Sequence, residues 1–155
     1  MFIDAQALTL TVAIESIVSS EFSNLGKLTK QEKDSVQKAL EYIDGWNDNT
    51  GIKERIKGSV NALLQPRVGD RMKALEKVGA ITKAQAKAWQ NLRNKSAHSY
   101  QTHNSKNSKF VELIFQINVL FYHLIFYAIG YKGVYMDVSE LGFPIKHYPS
   151  RDKTE

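Results

Sequence analysis

The segment from Phe110 to Ile129 limits the possible folds of this chain more than any other stretch. It is 20 residues long, is the most apolar part of the sequence, and as a helix is long enough to cross a bilayer. Polar residues interrupt it, and Glu112, Gln116 and His123 fall on one side of a helix. Polar groups inside a membrane are costly and few. The pattern therefore predicts the central helix of a soluble bundle, with these three residues along its wet edge and no membrane contact.

Five or six helices are predicted in the first 130 residues from apolar spacing and from helix start and stop signals. Thr29 with Glu32, and Thr82 with Gln85, match the capping box that begins a helix. The expected helices cover about 2–22, 30–46, 51–64, a short segment capped by Asp70, 83–97 and 110–129. We therefore expect an all-α, single-domain helical bundle over 1–130. Residues 131–155 are expected to form an irregular C-terminal tail, packed in part, with a short strand near 134–138.

Apolar residues surround the first helix almost completely, so we expect it to be buried on all sides. Leu8, Val12 and Phe22 share one side, and other apolar residues cover much of the opposite side. Helical spacing also predicts an inward face for the second and third helices. Its members are Val36, Ala39, Leu40, Ile43, Trp46, Ile52, Ile56, Val60, Leu63 and Leu64.

The composition is that of a soluble globular domain, with 43% hydrophobic and 24% charged residues. The absence of Cys excludes disulfides and thiolate metal sites. No cluster of His, Asp and Glu has metal-ligand spacing, and no Gly-rich phosphate loop is present, so we expect neither a metal nor a cofactor. The first residues, Met1 to Asp4, lack the basic region of a signal peptide, which predicts a cytoplasmic protein.

Positive charge is concentrated between Lys77 and Val111, where there are seven Lys and Arg and no Asp or Glu. The rest of the chain has 14 Lys and Arg against 16 Asp and Glu, a net charge of −2, so the whole excess of +5 lies in this window. A localised excess favours an anionic partner such as RNA. The other interpretation is a solvated helix face with unrelated lysines.

The same window contains residue types suited to chemistry on a phosphodiester. Arg93 offers a planar fork of donors that matches phosphate, and His98 can take and give protons near neutral pH. The core stripe expected for the helix over about 83–97 is Ile81, Ala84, Ala88 and Leu92, with Trp89 at its border. Arg93, Asn94 and His98 lie off that stripe, which favours a functional role for His98 over that of a satisfied core histidine.

Arg93 and His98 point about 140° apart on a regular helix. They meet if the long Arg side chain reaches over, if the helix ends near Ala97, or if the partner residue comes from a second chain. Glu15 lies on an apolar stripe of the first helix, where a carboxylate needs a partner. Either it makes a structural ion pair or hydrogen bond, or it orients Arg93.

This segment resembles the motif of the HEPN superfamily (higher eukaryotes and prokaryotes nucleotide-binding domains). That motif is Arg, then four to six residues of which the first is polar, then His; one toxin branch has Arg, four residues, His, any residue and Tyr. Arg93, Asn94, His98 and Tyr100 match both forms. Ala7–Glu15 is also similar to the first helix of such domains, including those resembling the ApeA defence proteins. The resemblance covers roughly residues 1–130.

The resemblance implies a metal-independent endoribonuclease acting as a toxin or antiviral defence effector. His98 would be the general base on the ribose 2′-hydroxyl, Arg93 would clamp the phosphate and stabilise its developing charge, and Asn94 would position either one. The expected substrate contacts are Lys95, Tyr100 and His103. In the toxin branch this Tyr is also where a nucleotidyltransferase antitoxin attaches AMP.

A homodimer is expected, because RNA cleavage uses both a base and an acid and two His98 side chains across a twofold axis would supply them. HEPN domains commonly pair this way. The alternative function is a non-catalytic HEPN-type module that binds nucleotide or RNA, or that dimerises within a larger effector system.

Overall fold

The computed structural model describes residues 2–47, 51–97 and 107–149, which form an all-α bundle with a small two-stranded sheet. Six α-helices lie within these ranges, in agreement with the predicted five or six. They are α1 (Phe2–Ser20), α2 (Lys30–Asp44), α3 (Ile52–Asn61), α4 (Val68–Lys77), α5 (Lys83–Ala97) and α6 (Asn107–Ala128), with a 3-10 turn at Ala62–Leu64 after α3. Two strands, β1 (Gly133–Met136) and β2 (Ile145–Tyr148), follow α6.

Both predicted capping boxes are present where α2 and α5 begin. The Thr29 N–H donates to Glu32 Oε2 at 2.7 Å, and the Glu32 N–H donates to Thr29 Oγ1 at 3.2 Å. Thr82 and Gln85 make the equivalent pair, at 2.8 and 3.2 Å. Each box satisfies two backbone N–H groups that have no partner inside the helix, which is why the sequence located these helix starts correctly.

Helix α4 begins earlier than predicted. Asp70, the predicted cap, is its third residue, and its carboxylate accepts a hydrogen bond from the Arg67 N–H at 3.0 Å. A carboxylate in the first turn satisfies the same class of unpaired N–H groups as a cap does. Gly79 follows the helix with φ of 75°, a left-handed conformation that glycine adopts without steric cost, so the predicted stop is correct.

Helix α6 is the central helix of the bundle and packs against both α1 and α5. Its side chains Ile117, Leu120 and Leu124 are fully buried. By length and composition alone, Ser108–Ala128 is also apolar enough to cross a membrane, with a mean hydropathy of 1.6 and 44% of its most apolar 18-residue window buried inside the bundle. A core helix has the same composition, and the contacts of α6 with α1 and α5 bury one side of it, while Phe115, Tyr122 and Tyr127 are about 40% exposed.

One side of α1 faces solvent, so the prediction that this helix is buried all round is wrong. The buried stripe consists of Ala7, Thr11, Ile14, Val18 and Phe22. Leu8 and Val12 are instead 53% and 58% exposed. The helix packs on α4, α5 and α6 through its buried stripe, and those three neighbours leave its opposite side uncovered.

The hairpin of α2 and α3 is largely separate from the hydrophobic core. Helix α2 packs against α3 and the 3-10 turn. Among the residues predicted to face inward in these two helices, Leu40 alone is buried, and Trp46, Ile52, Ile56 and Leu63 are exposed. Two helices that pack mainly on each other cover only the strip between them, which is why the helical spacing overestimated the burial.

The C-terminal region contains regular structure where an irregular tail was predicted. Strands β1 and β2 pair antiparallel, with Gly133 opposite Tyr148, and β1 coincides with the predicted short strand. The buried Tyr148 hydroxyl donates to the Ala80 carbonyl at 3.0 Å. This hydrogen bond joins the hairpin to the turn that precedes α5. Residues 131–149 are therefore part of the packed domain.

Candidate active site and basic groove

Helix α5 holds the motif residues Arg93 and Asn94 on its exposed side, beside the fully buried Leu92. Their predicted position off the core stripe is therefore confirmed. The stripe itself differs from the prediction, because Ala84 is exposed and Trp89 is 5% exposed. Burying the Trp89 indole removes far more apolar area from water than burying the Ala84 methyl group does. The helix is therefore rotated about its axis so that Trp89, and not Ala84, faces the core.

Glu15 of α1 is the partner of Arg93. The Arg93 Nε–H donates to Glu15 Oε1 at 2.7 Å, within the range of a charge-assisted hydrogen bond. The side chains are 56% exposed for Arg93 and 33% for Glu15. The carboxylate therefore has the partner that its place on α1 required, and it holds one edge of the guanidinium of a side chain that is more than half exposed.

Trp89 supports the same guanidinium from within α5. The Arg93 Cζ atom lies 5.9 Å from the centroid of the Trp89 ring, close enough for a cation–π contact. Since the ring is part of the core, it cannot move away from this position without opening the bundle. Glu15 and Trp89 together fix the direction of a side chain that is otherwise flexible.

The remaining predicted site residues lie outside the described ranges. This applies to His98, Tyr100 and His103, and also to the side chain of Lys95, whose backbone belongs to α5. The structure thus brings together Arg93, Asn94 and Glu15, and the predicted roles of the other four remain predictions.

A groove with a volume of about 820 Å³ runs between α4 and α5 and reaches the motif residues. We call it the α4–α5 groove. From the α4 side, its lining includes Arg67, Gly69, Asp70, Met72, Lys73 and Glu76. From the α5 side, it includes Lys83, Ala86, Lys87, Trp89, Gln90, Arg93 and Asn94. Arg93 and Asn94 therefore form one part of a longer, concave surface.

The α4–α5 groove is basic. Five of its lining residues are cations and two are acids, namely Arg67, Lys73, Lys83, Lys87 and Arg93 against Asp70 and Glu76. The acid-free segment of the sequence, Lys77–Val111, includes the groove residues of α5 but not those of α4. In a count along the sequence, the two acids of α4 offset its cations, so the α4 side does not stand out as basic. The spacing of Lys83, Lys87, Gln90 and Asn94, at intervals of four, three and four residues, is the sequence signal that identifies this face of α5.

A second polar cluster lies where the β-hairpin packs on α6. His123, predicted at the wet edge, is buried, because β1 and β2 cover that part of the helix, with the Tyr135 and Tyr148 rings 4.9 and 4.8 Å from its own. Its Nδ1 lies 3.1 Å from Gln85 Nε2, and its Nε2 has no hydrogen-bond partner within the described part of the chain. Burial lowers the pKa of His123 to about 4, with the Asp137 charge opposing this shift.

Asp137 is the acid of this cluster. Burial acts to raise its pKa, but hydrogen bonds from Lys146 (2.8 Å) and Ser139 outweigh that effect and keep the pKa below its ordinary value. The Asp137–Lys146 pair closes the β-hairpin next to His123. We assign these contacts to the stability of the hairpin, because Asp137 and Lys146 join its two sides and Ser139 lies in the turn between them.

Within residues 2–47, 51–97 and 107–149, no three His, Asp or Glu side chains are grouped so as to hold a metal ion. Comparison of the chain with protein-family models, curated proteins and solved structures found no match. The HEPN resemblance therefore rests on the sequence alone, that is, on the motif and on the first helix.

Proposed function

We propose that this protein is a metal-independent endoribonuclease of HEPN type that acts as a toxin or antiviral defence effector. The observation that supports this best is the Arg93–Glu15 hydrogen bond of 2.7 Å, which holds an accessible guanidinium at the end of a basic groove. Arg is the residue that best matches a phosphate with paired, fixed donors. A guanidinium fixed before substrate arrives loses little freedom when it binds the phosphodiester.

In the proposed reaction, His98 removes the proton from a ribose 2′-hydroxyl. The 2′-oxygen attacks the adjacent phosphorus, and the bond from phosphorus to the 5′-oxygen of the next nucleotide breaks. An acid, proposed to be His98 of a second chain, gives a proton to that oxygen. The products are a 2′,3′-cyclic phosphate and a 5′-hydroxyl. Arg93 stabilises the negative charge on the phosphate, Asn94 orients the reacting groups, and Lys95, Tyr100 and His103 contact the RNA.

The proposed active unit is a homodimer, and α1 supplies a surface suited to it. The exposed apolar side chains of α1, Leu8 and Val12, lie on the same face of the helix as Glu15, because the three residues follow each other at helical spacing. Glu15 is the partner of Arg93, so this apolar stripe lies next to the site. A second copy seated on this stripe would bury apolar area next to the site. It would also bring two motif segments together, which relieves the divergence of Arg93 and His98 along one helix.

The test is to incubate the purified protein with single-stranded RNA in excess EDTA and to analyse the ends of the products. We expect cleavage with 2′,3′-cyclic phosphate ends, and none with the His98→Ala protein. Loss of cleavage in EDTA with recovery on adding Mg²⁺ or Mn²⁺ would contradict the mechanism. RNA binding without any cleavage would favour the alternative, a non-catalytic HEPN-type binding module.

A further inference from the structure

We infer that the α4–α5 groove binds a single strand of the RNA substrate next to the phosphodiester that is cut. This inference rests on the proposed function and specifies where the substrate binds away from the reacting atoms. Three features of the groove support this inference: the line of polar residues along α5, the excess of positive charge, and the apolar residues at the bottom of the groove.

The direction follows from the spacing of residues on α5. Lys83, Lys87, Gln90 and Asn94 lie on one face, and the 12 residues from Lys83 to Asn94 extend about 16 Å along the helix axis. Arg93 stands at the end of this line. A strand that follows the face therefore reaches the residue proposed to hold the reacting phosphate, and its other nucleotides lie beside the lysines.

The charge of the groove suits a phosphate backbone. Lys73 on the α4 side and Lys87 on the α5 side line the same groove, so a strand between the two helices meets cations from both. Asp70 is the main apparent obstacle. Its carboxylate already accepts a hydrogen bond from the Arg67 backbone N–H, so it serves the start of α4, and the groove retains an excess of three cations over acids.

The floor is apolar and partly open. Met72 and Trp89 are buried below it, with Ala86 beside them, and a Cβ atom added at Gly69 would meet nothing within 4 Å. A largely apolar floor between cationic walls offers few hydrogen-bonding groups that could read base identity, so binding along it should not depend on sequence. Bases can pack against the groove only where they are unpaired, so the groove is expected to prefer a single strand to a duplex.

The experiment measures binding of a fluorescent 2′-O-methyl RNA of mixed sequence, which cannot be cleaved because it has no 2′-hydroxyl. Fluorescence anisotropy at low salt would compare the wild type with Gly69→Glu and Lys87→Glu. Gly58→Glu is the control for the glycine, since Gly58 also lies in a helix with open space at its Cβ, and Lys38→Glu is the control for the lysine. Thermal melting by circular dichroism would verify the fold of each variant.

We expect Gly69→Glu and Lys87→Glu each to weaken binding about tenfold or more, and the two controls to change it about twofold or less. A milder variant, Lys87→Gln, should reduce the slope of log affinity against log salt by about 0.7. A duplex of the same sequence should bind more weakly than the single strand.

Two outcomes overturn the inference: no binding of the single strand by the wild type, or equal weakening by the groove variants and their controls. If groove and control variants behave alike while the wild type still cuts RNA, the groove assignment fails and the proposed ribonuclease stands. If the groove variants lose binding as expected but cleavable RNA remains intact, the groove assignment stands and the ribonuclease proposal fails.

Discussion

Glu15 and Arg93 are 78 positions apart in the chain and joined by a 2.7 Å hydrogen bond between α1 and α5. The contact connects the helix that resembles the first helix of HEPN domains with the helix that carries the motif. It also explains a carboxylate on a largely apolar helix. The half-exposed pair contributes only about 0.2–1 kcal/mol to stability, so its main consequence is the orientation of the guanidinium.

The first prediction is that Glu15→Gln lowers RNA cleavage much more than it lowers stability. The amide removes the charge that holds Arg93 Nε, and a misdirected guanidinium should lower kcat by about tenfold to a hundredfold with a smaller change in KM. The midpoint of thermal unfolding should change little. Glu112→Gln, an exposed acid on α6, is the control. Unchanged kcat in the Glu15→Gln protein would show that the contact is structural.

The second prediction separates neighbouring residues of α5. Leu92→Ala should lower the free energy of unfolding by about 2–5 kcal/mol, since it empties part of a fully buried site. Arg93→Ala should leave stability within about 1 kcal/mol and abolish cleavage. Urea denaturation and a cleavage assay on the same samples measure both. An Arg93→Ala protein as unstable as Leu92→Ala would instead make Arg93 a structural residue.

The third prediction concerns acid sensitivity of the β-hairpin. The folded-state pKa of His123 is about 4, below its ordinary value of 6.5, so the unfolded chain binds the extra proton more readily between these values. The free energy of unfolding should therefore be constant above pH 6.5 and fall by at most about 3 kcal/mol as the pH drops to 4. Asp137, whose pKa is lowered, adds a further loss only at more acid pH.

His123→Phe keeps an aromatic ring on α6 and removes the titrating group, so the change in unfolding free energy between pH 6.5 and 4 should largely disappear. The comparison uses this pH dependence, because the variant also loses the contact with Gln85. His147→Gln, an exposed position on β2, serves as the control. A His123→Phe protein with the full acid dependence would place its origin elsewhere.

The fourth prediction is that the apolar stripe of α1 holds the active dimer together. Leu8→Glu should give a monomer in sedimentation velocity and lose cleavage, while remaining folded because the residue is exposed. Leu141→Glu, at a fully exposed position in the turn of the β-hairpin, should leave the dimer intact. A mixed dimer of Arg93→Ala and His98→Ala chains should show an activity unlike that of either homodimer. A wild-type monomer whose rate is linear in concentration down to nanomolar would exclude the dimer.

The fifth prediction concerns Tyr100, the expected site of AMP attachment. Tyr100→Phe keeps the ring and removes the hydroxyl, so a nucleotidyltransferase antitoxin should no longer silence the protein, and the mass increase of one AMP should disappear. Intact-mass spectrometry after incubation with ATP and the antitoxin tests this. Silencing of the Tyr100→Phe protein, with no modification of the wild type, would exclude this mode of control.

Local sequence was sufficient to locate the helices, apart from the start of α4, but not the second strand. Thr29 with Glu32, Thr82 with Gln85, and Gly79 act within a few residues of the helix ends they define, so their effect can be read from the chain alone. The apolar length of α6 likewise predicted a central helix, because a helix of that composition must bury most of its surface. The exposed positions of Arg93 and Asn94 were also predicted correctly, because the apolar residues of α5 identify the side of the helix that faces the core.

Tertiary structure decided which apolar faces are covered and which charges meet. Leu8 and Ile14 are both apolar residues of α1, yet one is exposed and the other buried, since only one side of α1 has helices beside it. The α4–α5 groove likewise combines cations from two helices, and the two acids of α4, Asp70 and Glu76, hide the α4 cations in a linear count. Propensity and capping depend on neighbours along the chain, whereas burial and electrostatic fields depend on neighbours in space, and only the packing of the helices determines those.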